Sequence, residues 1–231
     1  MGVTVLVPAH DEAARIGATV TAALGIGGVT RVLVIDDASA DATSGLAAAA
    51  GAEVLRLPAN VGKGAALDAG LARVRSDADV LMMLDGDLGS SASQGALLLE
   101  PILSGEAAMS VAAFPRPTGR AGFGLVKGLA RFGIRALGGQ AGRSFAATAP
   151  LSGQRAMTRA CWERVTPFAF GYGVEVALTV RALRSGMAVV EVPTTMTHAA
   201  TGRDAAGFTH RGRQFLHVAR ALLRLTFEPR G

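Results

Sequence analysis

Two carboxylates one glycine apart, Asp85-Gly86-Asp87, close the apolar run Val80-Leu81-Met82-Met83-Leu84. In an extended chain residues i and i+2 share a side, so Asp85 and Asp87 are expected to face one spot beyond the run. Two such charges repel unless a cation lies between them. Hard divalent cations, Mg²⁺ or Mn²⁺, take oxygen ligands and bridge carboxylates to phosphates. Gly86 lets the backbone turn there and leaves room for a ligand. The same tripeptide also reads as a plain polar turn, because Asp and Gly are ordinary turn residues.

These carboxylates need a scaffold. Val3 to Val7 reads as a strand ending at Pro8-Ala9-His10-Asp11-Glu12, and Ala13 to Leu24 has helical composition, with Ile16, Val20 and Leu24 four apart. Arg31 to Ile35 is a second strand, ending at Asp36-Asp37-Ala38-Ser39. An Ala-rich helix follows to about Ala50, with Ser39 or Asp41 as its cap. Glu53 to Leu57 is a third strand, followed by Asn60-Val61-Gly62-Lys63-Gly64 and a helix over 65–75. The run at 80–84 is then a fourth strand, buried on both faces. Strands alternating with helices predict an α/β fold with a parallel sheet and helices on both sides. Ligands of such sheets bind at the carboxyl ends of the strands. The first, second and fourth strands end in acidic residues and the third in a Gly-Lys-Gly loop.

Each loop taken alone is also an ordinary solvated connection; together they suggest one crevice. Asp36 or Asp37 can accept hydrogen bonds from a base or ribose. Gly62 and Gly64 permit close approach to phosphate, with helix 65–75 aiming its N-terminus there. Lys63 can reach a phosphate or a base carbonyl as a point charge. The spacing is not that of a Walker A loop. No Gly-x-Gly-x-x-Gly follows the first strand, which counts against a dinucleotide enzyme.

Composition sets the outer bounds. A chain of 231 residues, half of them hydrophobic, is long enough for one large domain with a sizeable core. Thirty glycines and 5% aromatics suit an Ala/Gly-rich α/β protein. A net charge of +5, with a pI of about 10.5, suits phosphate-bearing or anionic-membrane partners. No aromatic-interleaved basic stripe or nucleic-acid motif accompanies it, so no nucleic acid is expected. The single cysteine, Cys161, excludes an internal disulfide, fits a cytoplasmic setting, and reads as a small buried residue before it reads as a nucleophile. The N-terminus enters a strand without a basic leader, and no apolar run reaches membrane-spanning length, so neither a signal peptide nor a spanning helix is expected.

Pro8-Ala9-His10-Asp11-Glu12, Val34-Ile35-Asp36-Asp37-Ala38-Ser39, Asn60-Val61-Gly62-Lys63-Gly64 and Asp85-Gly86-Asp87, taken in order, resemble the successive motifs of family 2 glycosyltransferases. The resemblance implies a GT-A fold: one domain over 1–231, mostly parallel sheet, with a nucleotide-sugar-binding half at 1–110 and an acceptor half at 111–231. It further implies a nucleotide-diphosphate-sugar donor. Pro8, Ala9, Glu12 and Asp37, with Asp36 beside it, would hold the uridine or guanosine part, and Lys63 would lie by the base or diphosphate. Asp85 and Asp87 would hold the metal, with Gly86 against the donor and Asp87 counted among the catalytic residues.

Beyond Ser110 to Ala113, read as a strand, Arg116-Pro117-Thr118-Gly119-Arg120 reads as a loop. Phe123 to Leu137 has helical spacing, with Lys127, Arg131 and Arg135 as a basic row. That row is either a solvated face or a face turned to an anionic membrane or lipid phosphate. The Gly/Ala/Ser-rich stretch 139–150 reads as a mobile acceptor loop. Ser152-Gly153-Gln154-Arg155-Ala156 resembles a segment of dolichyl-phosphate mannose synthase-like enzymes, with Gln154 where Phe is usual, and so implies Ser152, Gly153 and Arg155 at the acceptor. Gly171-Tyr172-Gly173-Val174-Glu175-Val176 is similar to a segment of glucosyl-3-phosphoglycerate synthases. Glu175 opens a helix there; it is either the base that takes an acceptor hydroxyl's proton or a residue that satisfies the helix dipole.

Ala188 to Val192 is a last strand, followed by Pro193-Thr194-Thr195-Met196-Thr197-His198. The related synthases use a His after this strand as a third metal ligand, which implies that role for His198. Arg203 could then contact the diphosphate. Residues 207–225 form an amphipathic basic helix with three uses open: docking on the domain, a homodimer contact, or lying on the inner face of a membrane. The function expected is sugar transfer from a UDP- or GDP-sugar to a polyprenyl-phosphate or small phosphorylated acceptor. The alternatives are a nucleotidyltransferase acting on a sugar phosphate and a non-catalytic nucleotide-binding protein.

Overall fold

The computed structural model describes residues 2–76, 78–114, 124–169, 171–197 and 205–228. Its first half runs β1 (Val3–Ala9), α1 (Ile16–Leu24), β2 (Val29–Asp36), α2 (Thr43–Ala49), β3 (Glu53–Arg56), α3 (Lys63–Val74) and β4 (Val80–Met83). A 3₁₀ turn, Gly89–Gln94, leads into α4 (Gly95–Leu103) and β5 (Met109–Ala113). Then come α5 (Gly124–Leu137), α6 (Gly139–Ser144), β6 (Arg155–Thr158), α7 (Arg159–Val165), the turn Gly171–Gly173, α8 (Val174–Arg184), β7 (Val189–Pro193) and α9 (Ala205–Phe227). The strands form one sheet in the order β3-β2-β1-β4-β6-β5-β7. Only β6 runs antiparallel to its neighbours, so the α/β, mostly parallel expectation holds.

Alternation along β1 explains the layering. Val3, Val5, Val7 and Ala9 face one side and pack with Ile16, Val20 and Ala23 of α1, Ala47 of α2 and Leu98 and Ile102 of α4. Leu6 faces the other side, with Leu67, Leu71 and Val74 of α3, Trp162 of α7 and Leu178 of α8. α8 is buried nearly all round, because α5 and α9 cover its outer side through Val126, Ala130, Ile134, Val218, Leu222 and Leu225.

Three elements differ from the sequence expectation. β6 inserts between β4 and β5, so the later chain shares the sheet with the earlier; its short Arg-Ala-Met-Thr run carries little strand signal. α6 replaces the first part of the mobile loop expected over 139–150, its Gly142 packing tightly against the Ile134 carbonyl. α3 begins at Lys63 itself, not two residues later. Apart from these, α4 carries Pro101 inside its last turn.

Candidate active site

The carboxyl edge of the sheet gathers the loops after β1, β2, β3 and β4 and the segment that enters β6. Because β6 runs antiparallel, its N-terminal side meets the others there. α8 opens at the same place.

Asp36 and Asp37 show why adjacent acids need not share a task. Asp36 is wholly buried, and its carboxylate accepts the Ser39 amide at 2.8 Å, the Ser44 hydroxyl and the Arg56 guanidinium at 3.2 Å. Burial pushes its pKa up, but the Ser39 and Ser44 hydrogen bonds and Arg56 outweigh that and hold it below the usual carboxylate value. The direct nucleoside contact expected of Asp36 is therefore corrected: it ties the β2 loop together from beneath. Asp37 is buried too, and accepts the amides of Val61 at 2.7 Å and Gly62 at 2.8 Å, which shapes the turn before α3. Gly62 takes the left-handed φ of +84° that this turn requires. Gly64 serves packing, since a Cβ there would stand 2.0 Å from the Ala169 carbonyl oxygen.

Lys63, first residue of α3, is brought to the centre by that turn. Its ammonium donates to Asp85 Oδ1 at 2.8 Å and to Glu175 Oε1 at 2.9 Å. Burial alone would lower its pKa; the two carboxylates outweigh burial and hold it above the usual lysine value. The side chains of Lys63 and Asp85 are 22% and 26% exposed and that of Glu175 7%, so the cluster lies at the floor of a cleft, not on open surface.

Asp85 and Asp87 lie past the end of β4, in a turn, so strand alternation does not govern them. The turn is pinned from α1: the Thr19 hydroxyl donates to the Gly86 carbonyl at 2.9 Å and accepts the Gly89 amide at 2.8 Å, and Arg15 donates to the Asp87 carbonyl at 3.3 Å. Gly86 nestles against Ala9 and Glu12; an added Cβ would sit 3.3 Å from each. Burial, then Asp87 and Asp85, push the Glu12 carboxyl up to about 7. Ala9, Glu12, Lys63, Asp85, Gly86 and Asp87 thus line one neighbourhood, while Pro8 precedes Ala9 at the end of β1.

The segment before β6 completes it. Gln154 is fully buried and donates to Asp85 Oδ2 at 2.6 Å, while its own carbonyl oxygen accepts the Ser152 hydroxyl at 3.3 Å. Gly153 presses its backbone on the ion pair: a Cβ there would lie 2.6 Å from Lys63 Nζ and 2.8 Å from Asp85 Oδ2. Arg155 is buried under the floor, donating to the carbonyls of Ser152 at 2.6 Å and Glu175 at 3.2 Å. Burial lowers its pKa to about 10. The acceptor contact expected of Arg155 is corrected to this supporting role, and Ser152 is likewise buried and engaged.

Glu175 is the second residue of α8. Two glycines before it let α9 close on the turn: a Cβ on Gly171 would meet His217 at 2.3 Å, and one on Gly173 would meet Ala221 at 2.4 Å. Gly171, Gly173 and Gln154, which the motifs contain without assigning them a role, and Thr19, which no motif contains, act as positioning residues; the Gly-x-Gly spacing and the unusual Gln were the available signals. Cys161 is buried and its thiol is pushed up to about 12, which removes it as a nucleophile. His198, Arg203 and the 116–120 loop lie outside the described residues. Among the described residues no three His, Cys, Asp or Glu side chains are placed to hold a metal. Asp85 and Asp87 supply hard oxygen donors of the kind Mg²⁺ and Mn²⁺ prefer, beside Glu12, whose carboxyl is pushed up first by burial and then by those two charges.

Residues 4–132 match the family model described as glycosyl transferase family 2. The chain is 32% identical over 211 residues to glycosyltransferase AglJ of Haloferax volcanii, covering 87% of this chain and 65% of that protein. It is 33% identical over 199 residues to glucosyl-3-phosphoglycerate synthase of Mycolicibacterium paratuberculosis, covering 77% of this chain and 59% of that protein. It thus spans about two thirds or less of the length of these curated relatives. Among solved structures, glucosyl-3-phosphoglycerate synthase from Mycobacterium tuberculosis with Mn²⁺, UDP and phosphoglyceric acid superimposes with a TM-score of 0.80 at 27% identity. That match covers 99% of this chain and 79% of the other, and a complex of the same enzyme with Mg²⁺ and UDP gives 0.77. With the family model covering more than half the chain, and the loops it spans converging on one cleft, this chain belongs to glycosyl transferase family 2.

Proposed function

We propose that this chain transfers a sugar from a UDP-sugar to a phosphorylated acceptor with the help of Mg²⁺ or Mn²⁺. The observation that carries the reading is the cluster Lys63–Asp85–Glu175, with Asp87 and Glu12 beside it, at the carboxyl edge of a family 2 sheet. Structurally similar enzymes supply the ligand classes, having been solved with UDP and Mn²⁺ or Mg²⁺ and with phosphoglyceric acid or glycerol 3-phosphate.

Asp85 and Asp87 would hold the cation, with His198 as a third ligand. When bound, the cation neutralises charge gathering on the diphosphate as its bond to the anomeric carbon breaks. Ala9, Glu12 and Gly86 wall the nucleotide side. Glu175, oriented by Lys63, faces the acceptor side and takes a proton where the attacking group is a hydroxyl. From below, Gln154 holds the Asp85 carboxylate and Arg155 holds the backbone carbonyl of Glu175. The 1–110 half serves the donor and the 111–231 half the acceptor.

The test is a panel of UDP- and GDP-sugars, each with phosphoglycerate, glycerol 3-phosphate or a polyprenyl phosphate, with and without Mn²⁺. The reading expects Mn²⁺-dependent release of UDP, coupled to glycosylation of a phosphorylated acceptor and lost in Asp87→Ala. Release of pyrophosphate would favour a nucleotidyltransferase, and binding without turnover a non-catalytic protein.

A further inference from the structure

Among the described residues the five most exposed large apolar side chains all lie on two helices. Leu125 (82%) and Phe132 (70%) are on α5; Phe227 (82%), Leu223 (60%) and Leu216 (55%) are on α9. These helices pack on each other: Gly133 of α5 leaves a notch for Leu222 of α9, where a Cβ would stand 2.2 Å from that leucine. On α9 Leu216, Leu223 and Phe227 follow at i, i+7 and i+11, opposite the side that buries Val218, Leu222 and Leu225. The helix therefore carries a second apolar stripe that the domain does not cover, which scattered surface leucines do not produce.

The charge around this ledge has one sign. No Asp or Glu occurs between Glu106 and Glu163, while that stretch carries eight Lys and Arg residues. Arg131, Arg135 and Arg143 border two adjoining shallow hollows, one of them shared with Phe132. Arg131 is steadied by the carbonyls of Ala147 at 2.8 Å and Thr148 at 3.4 Å, and Arg135 and Arg143 have no ion pair among the described residues. Arg220 and Arg224 run along one side of the α9 stripe. α9 itself carries no acid, and Glu228, just past its end, is already bound by Arg181 at 2.5 Å.

We propose that the α5–α9 ledge docks on an anionic lipid bilayer, with Phe132, Leu125 and the α9 stripe entering the interface and the arginines meeting lipid phosphates. Apolar side chains flanked by arginines fit a negatively charged interface. A second copy of the chain fits poorly, because pairing two such faces would set arginine against arginine. The inference stands apart from the sugar chemistry.

The experiment is co-sedimentation of the full chain with vesicles of phosphatidylcholine alone or mixed with phosphatidylglycerol. The variants are the triple change R131Q/R135Q/R143Q, Phe132→Ser, and Arg164→Gln on α7 as control, with circular dichroism to confirm each fold. Binding only to the mixed vesicles, weakened on the order of tenfold or more by the triple variant and by Phe132→Ser, and reversed by salt, is the expected result. No binding to mixed vesicles, equal binding to neutral ones, or binding indifferent to the variants would overturn it. So would a dimer in sedimentation velocity that Leu223→Ser dissolves. Release by inorganic phosphate at constant ionic strength would assign the arginines to a small anion instead, and would also sink the proposal.

Discussion

The Lys63 ammonium stands 2.8 Å from one oxygen of Asp85, and every other element of the cleft floor is arranged around that pair. Gln154 takes the second Asp85 oxygen, Gly153 lies flat against both groups, and Glu175 shares the ammonium from α8. One cation thus joins the loop after β4 to the helix that follows the turn at 171–173. Replacing Lys63 by Met leaves two carboxylates facing each other without it. The expected loss is on the order of 2 kcal/mol, a broken buried pair discounted for the partial exposure of its members. Urea unfolding of Lys63→Met, Glu175→Gln and the double variant measures it. A cycle with no coupling energy would mean that the pair does not form in solution.

Gly153 is where the backbone comes closest to the chemistry. A methyl at this position would have to displace Lys63 or Asp85, both flexible enough to move. Gly153→Ala should therefore fold with nearly normal stability and lose at least about tenfold in turnover, as small displacements in a positioned site do. Full activity in a folded Gly153→Ala protein would show that the pair's position does not matter.

Gln154 holds Asp85 with a neutral donor, which fixes the carboxylate without cancelling its charge. Gln154→Met keeps the bulk and removes the donor. We expect Mn²⁺-dependent UDP affinity to fall about tenfold, a loss of roughly 1.4 kcal/mol that matches a charged-acceptor hydrogen bond. Gln154→Glu should fall further, because it sets a carboxylate against a carboxylate. Isothermal titration reads both; affinities equal to wild type would reduce Gln154 to a packing residue.

Cys161 offers a check on the core beneath the site. Burial raises its thiol from an ordinary value of 9.0 to about 12, so in the folded chain it stays protonated and shielded at pH 8. Ellman's reagent should react with it only at the rate of unfolding. The sign for stability follows: the unfolded thiol ionises first, so its contribution is lost as pH rises from about 9 towards 12. Rapid labelling of the native protein at pH 8 would contradict the burial of α7.

The first half of the fold was legible because its strands are apolar runs and its helices are periodic, from Val3 through the run at Val80. The second half was less so. β6 is four residues around a buried arginine, and α6 has a loop's composition yet folds because glycine lets Gly142 pack on Ile134. At the site, residue type was readable but facing was not. Asp36 and Asp37 stand side by side in sequence, and their carboxylates are spent on different loops. Arg155 looks like an anion ligand until its burial is known. Gln154 stood out as the departure from a family pattern, and its hydrogen bond to Asp85 accounts for it.

In the proposed function Asp85 and Asp87 would hold a divalent cation against a nucleotide diphosphate. Titration of UDP into the wild-type chain and into Asp87→Ala, each with and without Mn²⁺, tests that most directly. Binding to the wild type only with Mn²⁺, and none to a folded Asp87→Ala under either condition, is expected. UDP binding that ignores Mn²⁺, or that survives Asp87→Ala undiminished, would contradict it.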